Sequence, residues 1–184
     1  MRLQTLKGVF WLEWMIDSAH TLVNFSIRHM AVTTVRGRFD NITGKVDVEG
    51  GKIVSAEIDI PTGSVNTNQP DRDTHLKSGD FFDAENHPNM HFSMTKLEPV
   101  EGEQYRMIGD LTIRGTTKPI TFDATISGAF TDPWGNERMG ISLEGKLERS
   151  AWNLTWNVVV EAGRLMLSDQ VKLEVDAELF HSKS

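Results

Sequence analysis

The feature of this sequence that most constrains its fold is an alternation of apolar and polar side chains. In Thr21–His29, for example, Val23, Phe25 and Ile27 are each separated by one polar residue. Successive side chains of a β-strand point to opposite faces, so a period of two residues predicts a strand with one buried face. The same pattern recurs along most of the 184 residues.

The alternating segments are separated by short breaks that carry turn residues, such as Gly50-Gly51 and the cluster at 132–136. Glycine adopts the positive φ that tight hairpin turns require. About eight or nine strands at this spacing, with no βαβ rhythm, predict an all-β fold in which an antiparallel meander closes into a barrel. We expect one domain over 1–184, with a flexible N-terminal extension at 1–9.

Two segments are less regular than the rest. Val35–Val48 is predicted to be one strand with a bulge at Asp40-Asn41, because the apolar parity changes there. Met30–Thr34 breaks the alternation, and we expect a minor helical turn there.

The stretch 70–94 departs most clearly from the strand pattern. Pro70 suits the first turn of a helix, where its missing N–H needs no partner. Asp71 places negative charge at the partially positive helix N-terminus, and Gly79 is expected to end the helix in a left-handed conformation. The sequence therefore predicts one short helix at about 70–78, with the pair Phe81-Phe82 anchoring the return to a strand.

Charge and composition exclude several classes of protein. The formal net charge is −7 and the isoelectric point about 5.3, which disfavours nucleic-acid binding and adhesion to anionic lipids. The chain has no cysteine, so disulfides and zinc–thiolate sites are excluded. No signal peptide and no membrane-length apolar run is visible, and we expect a cytoplasmic protein without stable membrane insertion.

The apolar face predicted to point inward mixes bulky phenylalanine and methionine with small residues. The small ones are Gly37, Gly44, Ala56, Gly109, Ala124, Gly128 and Gly145. Small and large side chains can alternate to fill a closed barrel, or the small ones can leave an apolar cavity lined by adaptable methionines. Composition alone leaves both interpretations open.

Acidic residues and histidines are concentrated between Asp71 and His91, where a metal or catalytic group would find many ligands. Their spacing matches no H-E-x-x-H or calcium-loop pattern, and the chain contains no G-x-S-x-G or phosphate-binding glycine motif. The alternative to a metal or catalytic site is a solvent-exposed polar segment, in which acidic and basic side chains four residues apart on the helix pair with each other. We assign no catalytic residue, no metal and no cofactor, and keep an enzyme acting on a lipid or stress metabolite through 71–91 as the second hypothesis.

Several long segments resemble the YceI family in sequence and in order. They are H-T-L-V-N-F-S-I-R-H-M at His20–Met30, V-R-G-R-F at Val35–Phe39, R-D-T-H-L-K-S-G-D-F-F-D at Arg72–Asp83, H-P-N-M-H-F at His87–Phe92, G-D-L-T-I-R-G-T-T-K-P-I at Gly109–Ile120 and E-R-S-A-W-N-L at Glu148–Leu154. The resemblance extends from about Trp11 to Phe180.

This resemblance implies a lipocalin-like antiparallel barrel with a long apolar tunnel, and it implies that two copies of the chain form a homodimer. It also implies that the protein is not an enzyme but binds, carries or sequesters an amphipathic polyisoprenoid lipid, such as an isoprenoid quinone or a prenyl chain. Many family members are periplasmic, whereas this chain resembles the leaderless cytoplasmic branch. One segment departs from the family pattern, since Ala151-Trp152-Asn153 stands where an acidic residue and a glycine are common.

The alternation and the resemblance together give a set of expected ligand-binding residues. The apolar tunnel is expected to be lined by Phe25, Ile27, Met30, Phe39, Ile42, Val46, Ile58, Met90, Phe92, Met94, Met107, Leu111, Phe122, Met139, Ile141 and Leu143. Candidates for headgroup or mouth contacts are His29, Arg38, Arg149 and Trp152. For the buried Arg149 a purely structural clasp is the favoured alternative.

Overall fold

The computed structural model describes residues 4–6 and 9–181, and over these residues strands dominate. The strands are β1 Gln4–Leu6, β2 Val9–Ile16, β3 Leu22–His29, β4 Thr33–Phe39, β5 Thr43–Glu49, β6 Lys52–Pro61, β7 Val65–Asn66, β8 Asn89–Glu101, β9 Gln104–Ile113, β10 Thr116–Ile126, β11 Phe130–Thr131, β12 Glu137–Glu148 and β13 Leu167–His181. The single described α-helix, α1, spans Pro70–Lys77, and short 3₁₀ turns lie at Ser18–His20, Thr62–Ser64, Arg149–Trp152 and Glu161–Gly163.

Eight antiparallel strands form a closed barrel, in the order β2-β5-β6-β8-β9-β10-β12-β13. The ring closes where Met15 and Ile16 of β2 pair with Phe180 and Leu179 of β13. Closure removes the unpaired strand edges that an open sheet would expose. The all-β barrel with one short helix, predicted from the alternation, is confirmed.

A second layer of pairing branches from β13. The first part of β13 pairs with β3, β3 pairs with β4, and β4 pairs with the short β7. The predicted single strand over Val35–Val48 is wrong, because β4 ends at Phe39 and β5 starts at Thr43 with different partners. The apolar alternation changes phase at Asp40-Asn41 because the chain passes there from the part of the sheet that contains β3 to the part that contains β2.

The two ends of the barrel differ in what covers them. At the far end, Trp14, Met139 and Leu179 are at most 2% exposed and pack the interior. At the other end, where β6, β9 and β12 finish, the chain forms α1 and the segment that follows it. We call this second end the helix end.

Helix α1 starts as its sequence predicts and ends differently. The Gln69 side chain accepts a 2.7 Å hydrogen bond from the Arg72 backbone N–H, and Pro70 occupies the first turn. The expected left-handed Gly79 is wrong, since Gly79 is not among the residues with positive φ. Instead, both the backbone N–H and the hydroxyl of Ser78 donate to the His75 carbonyl.

Side chains on both sides of α1 fasten it to the barrel. The Asp73 carboxylate accepts from the backbone N–H and the hydroxyl of Thr67, at 2.8 and 2.5 Å. Phe81 is buried, and the ring of Phe82 meets the ring of Phe39 edge-on at 5.6 Å. A helix this short has little stability of its own, so these contacts hold it over the barrel opening.

Two further expectations concern turns and the N-terminus. Met30–Thr34 forms no helical turn, because Met30 and Ala31 have φ values of 52° and 56° in a hairpin turn between β3 and β4. Of the N-terminal extension predicted at 1–9, Gln4–Leu6 pairs with β2, and residues 1–3 and 7–8 lie outside the described residues. In the described part of the chain, no helix has the length and apolar character needed to cross a membrane.

Candidate functional site: an apolar cavity

The barrel encloses a cavity of about 720 Å³. Its wall consists almost entirely of aliphatic and aromatic side chains from the barrel strands, from β3 and β4, and from α1. The volume falls in the range of about 300–1,000 Å³ that is typical of small-molecule sites. The sequence left open whether side chains fill the barrel or leave a cavity, and in the structure they leave a cavity.

Glycines shape the cavity wall by letting aromatic rings lie against the backbone. A Cβ atom on Gly109 would stand 2.4 Å from the ring of Phe92, and one on Gly145 would stand 2.6 Å from the ring of Phe122. The two rings meet edge-on with centroids 5.8 Å apart. The rings thus cover the wall instead of projecting across the lumen, which leaves the space open.

The structure places most of the expected tunnel residues on the cavity wall. Those that line it are Phe25, Ile27, Phe39, Ile42, Val46, Ile58, Met90, Phe92, Met107, Leu111, Phe122, Ile141 and Leu143. The three others, Met30, Met94 and Met139, lie elsewhere.

Each of the three methionines is displaced for a local reason. Met30 lies in the hairpin turn beyond β3 and is 41% exposed, so it points away from the wall. Met94 immediately precedes a register shift in the pairing of β8 with β9, and it packs against the core from a half-buried position. Met139 is fully buried in the packed far end.

Among the described residues, polar side chains reach the cavity only from the helix end. Those that line it are His29, Thr33, Asp71, Arg72, His75 and Arg149. They come from the β3–β4 hairpin, from α1 and from the turn after β12, three segments that meet around the opening. The cavity is therefore amphipathic along its length, with an apolar body and a polar mouth.

Arg149 is the most deeply placed of these polar groups, at 5% exposed. Its Nε donates to the Ser168 carbonyl at 2.9 Å, and its Nη1 donates to the carbonyls of Leu154 and Trp156 at 2.5 and 2.9 Å. Burial lowers the pKa of Arg149, and the nearby Asp169 carboxylate opposes that shift. Among the described residues no hydrogen bond of Nη2 accompanies these three, and Arg149 lines the cavity.

His75 closes one side of the mouth through aromatic contacts. Its ring meets Trp156 and Phe81 edge-on, with centroids 4.7 and 5.0 Å apart. Its Nε2 lies 2.8 Å from the Asp80 carboxylate. Helix α1 and the segment after β12 are thus joined across the opening by a ring cluster that includes a titratable group.

Two expected mouth residues, Arg38 and Trp152, do not line the cavity. The Nε of Arg38 donates to Asp40 at 2.6 Å, and that carboxylate also accepts from Asn66. Trp152 is buried, and its indole N–H donates to the Leu111 carbonyl at 2.9 Å. A backbone partner satisfies the one donor of the indole, so Trp152 supports the wall from behind.

The acidic residues and histidines of 71–91 do not converge on one point. His75 pairs with Asp80, whereas His91 lies on the barrel wall between Asp59 and Glu57, at 2.9 and 3.0 Å. In the described part of the chain, the geometry for a metal ion is met only by Asp17, His20 and Glu178.

That group of three already has a cation beside it. Nη1 of Arg138 donates to both Asp17 and Glu178, and its Nε donates to Asp132. The guanidinium neutralises the carboxylates that a metal would need, so we assign no metal to this cluster.

The set of tunnel residues predicted from the sequence left out lining residues on α1 and on β13. From α1 and its flank come Asp71, Arg72, His75, Leu76, Phe81 and Phe82, and from β13 come Leu167, Val171, Leu173, Val175, Ala177 and Leu179. The β13 residues carry the same alternation that identified the other strands, so that signal was available. The role of α1 depends on where the helix lies, which no local pattern encodes.

Comparison with known proteins places this geometry in a family. The sequence model of the YceI-like domain matches residues 14–179. A UPF0312 protein of Staphylococcus aureus is 34% identical over 165 residues, which cover 88% of this chain and 94% of that protein. A UPF0312 protein of Vibrio campbellii is 35% identical over 140 residues, 74% of each chain.

Solved structures show the same barrel. The YCEI protein of Campylobacter jejuni is 33% identical, with a TM-score of 0.74 and full coverage of both chains. A polyisoprenoid binding domain from Saccharophagus degradans, implicated in plant cell wall breakdown, matches with a TM-score of 0.65 at 15% identity, over 92% of this chain and 98% of that one. At that identity the likeness shows the fold alone. The extent of the domain match and the identity to these relatives show that the chain belongs to the YceI-like domain family.

Proposed function

We propose that this protein binds an amphipathic polyisoprenoid lipid, an isoprenoid quinone or a prenyl chain, and carries or sequesters it without converting it chemically. The observation that carries this proposal is the cavity of about 720 Å³, which has an apolar body and, in the part of the chain that the structure describes, polar side chains at one end only. A lipid with a long apolar chain and one small head matches that division.

The apolar body supplies affinity by excluding water from the lipid chain. Each buried CH₂ contributes roughly 0.8 kcal/mol, so several isoprenoid units give strong binding without specific polar contacts. Phe92 and Phe122 offer flat surfaces to the chain, and Met90 and Met107 offer flexible ones that adapt to branching methyl groups.

The head of the lipid is assigned to the helix end. Nη2 of Arg149 is a donor without a protein partner in the described chain, and His29 and His75 lie on the same opening. A carbonyl or phosphate oxygen would accept from Arg149, and charge-assisted hydrogen bonds of this kind are the stronger ones. The three backbone contacts of Arg149 hold its position, so the clasp and the headgroup contact are compatible roles.

The fold similarity to a polyisoprenoid binding domain supports this choice of lipid class. The enzyme hypothesis based on 71–91 finds less support, because His75, Asp73 and His91 face different partners. A catalytic centre needs its groups within reach of one reacting atom.

The decisive experiment is organic extraction of the purified protein followed by mass spectrometry, together with reloading of delipidated protein with an isoprenoid quinone. Leu143→Trp, which places a bulky ring in the cavity, is expected to lower the amount of quinone bound. Val54→Trp is the matched control, because Val54 is exposed on the outside of β6.

Extraction that yields no lipid, combined with no uptake of quinone by the wild type, would refute the proposal. Recovery of a chemically altered quinone after incubation would instead favour the enzyme hypothesis.

The predicted homodimer and the cytoplasmic location stay predictions. Light scattering coupled to size-exclusion chromatography measures the first, and fractionation of the source cells measures the second.

A further inference from the structure

Two turns at the mouth of the cavity expose apolar side chains to solvent. We call this group the apolar rim. It consists of Met30, Val32, Val158, Val159 and Leu165. Val32 is 75% exposed, Val159 is 67% exposed and Leu165 is 56% exposed.

Backbone hydrogen bonds bring the two turns of the rim together. The N–H of Met30 donates to the Met166 carbonyl at 2.7 Å, and the N–H of Met166 donates to the Val158 carbonyl at 2.8 Å. Val159 and Leu165 face each other as an isolated β-bridge. The rim is therefore one contiguous surface built from segments that are far apart in sequence.

The rim borders the cavity directly. His29 and Thr33, which flank the first turn, both line the cavity, and so do Met166 and Leu167 beside the second. An apolar path thus leads from exposed side chains to the apolar body of the site. A patch of this kind, next to a ligand opening, marks an interaction surface.

The conformation of the first turn is unfavourable for its residues. Met30 and Ala31 both have positive φ, which such turns usually assign to asparagine and glycine. A side chain with a Cβ atom loses roughly 1–2 kcal/mol in this region. The chain therefore keeps an apolar methionine where turn chemistry and water would both favour a polar residue.

The charges within the two turns differ in sign from the charge of the whole chain. The charged residues of 28–34 and 158–166 are Arg28, Arg164 and Glu161, whereas the formal net charge of the protein is −7 and Asp71 of α1 also lies at the mouth. The guanidinium of Arg28 donates to the Ala31 carbonyl at 2.9 Å, which keeps this charge at the tip of the turn. Local arginines favour the phosphates of lipid headgroups, although the overall charge opposes close approach to an anionic surface.

We propose that the apolar rim docks reversibly on the surface of a lipid bilayer, so that the mouth of the cavity opens towards the membrane. This inference rests on the proposed lipid-binding function, because a lipid with a long apolar chain resides in a bilayer until a carrier takes it up. Five side chains are far fewer than the roughly 20–30 residues a side of a stable protein interface, so a second copy of the chain fits the rim less well. They suffice for shallow insertion of the kind made by interfacial segments.

The test measures binding of the wild type, Val32→Asp and Val159→Asp to vesicles by flotation. Vesicles of phosphatidylcholine alone and of phosphatidylcholine with phosphatidylglycerol are compared. We expect wild-type binding to both, and a loss of at least about tenfold in each variant, the change that 1.4 kcal/mol produces. The matched control is Val100→Asp, since Val100 is 61% exposed and lies in β8 away from the helix end.

A second measurement separates docking from lipid binding. Each variant is loaded with isoprenoid quinone from detergent micelles, where no bilayer is needed, and its thermal unfolding midpoint is recorded. A rim variant that still takes up quinone normally but no longer binds vesicles supports the inference. Normal loading of a wild type that binds no vesicles overturns the inference and leaves the proposed function intact, whereas failed loading of the wild type refutes the proposed function itself.

The oligomeric state of the same proteins tests whether a second copy of the chain, and not a bilayer, binds the apolar rim. A wild type that is dimeric in solution while Val32→Asp and Val159→Asp are monomeric would assign the rim to a second copy of the chain and overturn docking on the bilayer.

Discussion

The ring of Phe92 rests on the backbone of Gly109, at a distance that leaves no room for a methyl group. A Cβ atom at residue 109 would stand 2.4 Å from two ring carbons of Phe92 and 2.5 Å from the carbonyl oxygen of Ser93. The carbonyl belongs to the neighbouring strand and cannot move aside without disturbing the ladder. The cavity wall therefore depends on the absence of one side chain.

Gly109→Ala is expected to lower the free energy of unfolding by about 1–3 kcal/mol, the usual range for overpacking a well-packed site. It should also reduce lipid uptake, because the displaced Phe92 ring moves into the cavity. Urea unfolding measures the first effect and quinone reloading the second. Gly128→Ala is the control, since nothing lies within 4 Å of a Cβ atom there; equal losses in both variants would contradict this account of the wall.

Arg149→Met is expected to destabilise the protein by about 3 kcal/mol, because the carbonyls of Ser168, Leu154 and Trp156 would lose a charged donor. Denaturant unfolding measures the change. Arg38→Met should cost at most about 1 kcal/mol, since Arg38 forms an exposed pair with Asp40.

Arg149→Lys separates the two roles of Arg149. Lysine keeps the positive charge at the mouth but cannot reach several carbonyls at once. We expect partial recovery of stability and weaker quinone binding than in the wild type. Wild-type stability in Arg149→Met would show that the backbone contacts of Arg149 are dispensable.

Stability is expected to decrease in acid as Asp132 takes up a proton. The hydrogen bond from Arg138, with others from Asn136 and Trp134, lowers the pKa of Asp132 from 3.8 to about 2. Between these two pH values Asp132 is protonated in the unfolded chain and ionised in the folded protein. The free energy of unfolding therefore falls as pH drops from about 4 to about 2. Thermal unfolding across this range should show the slope in the wild type and a smaller slope in Asp132→Asn. An unchanged slope in that variant, or an equal reduction in the exposed Asp110→Asn, would argue against this assignment.

His91 is expected to act in the opposite direction near neutral pH. The hydrogen bond to Asp59, supported by Glu57, raises the pKa of His91 above its usual 6.5. The protonated histidine therefore stabilises the folded protein fully below about 6.5, and this contribution is lost as pH rises through the raised pKa. NMR titration of the His91 ring measures the shift, and Asp59→Asn should return the pKa towards 6.5. A His91 pKa that is the same in both proteins would contradict the role of Asp59.

Local patterns predicted the strands well because each strand carries its own signal. Buried and more exposed residues alternate along β9 and along β10 from Ile120 onwards, so Met107, Leu111 and Phe122 could be assigned to the interior without knowledge of their neighbours. The assignments failed where the local rule changes: at Met94 the ladder shifts register, and at Asp40-Asn41 the chain changes partners. A slip of one residue moves a side chain to the other face, and the sequence on one strand does not reveal it.

The mouth of the cavity could be predicted only in part. His29 and Arg149 were named as candidates and line the opening, whereas Trp152 stands behind the wall because its indole N–H finds the Leu111 carbonyl. The pairing of that indole joins residues that are 41 positions apart. Contacts over such separations are set by how whole elements pack.

The sequence by itself determined the all-β class, most of the strands, the position of α1 and the apolar character of the interior. These follow from the two-residue period, from proline at a helix start and from side-chain polarity, all of which act between residues close in the chain. Tertiary structure alone decided that the barrel is hollow, that polar groups gather at one mouth, and that two turns form the apolar rim. The physical reason is that a cavity is a volume left between packed elements, so its size depends on where Phe92 and Phe122 rest and not on how many apolar residues the chain contains.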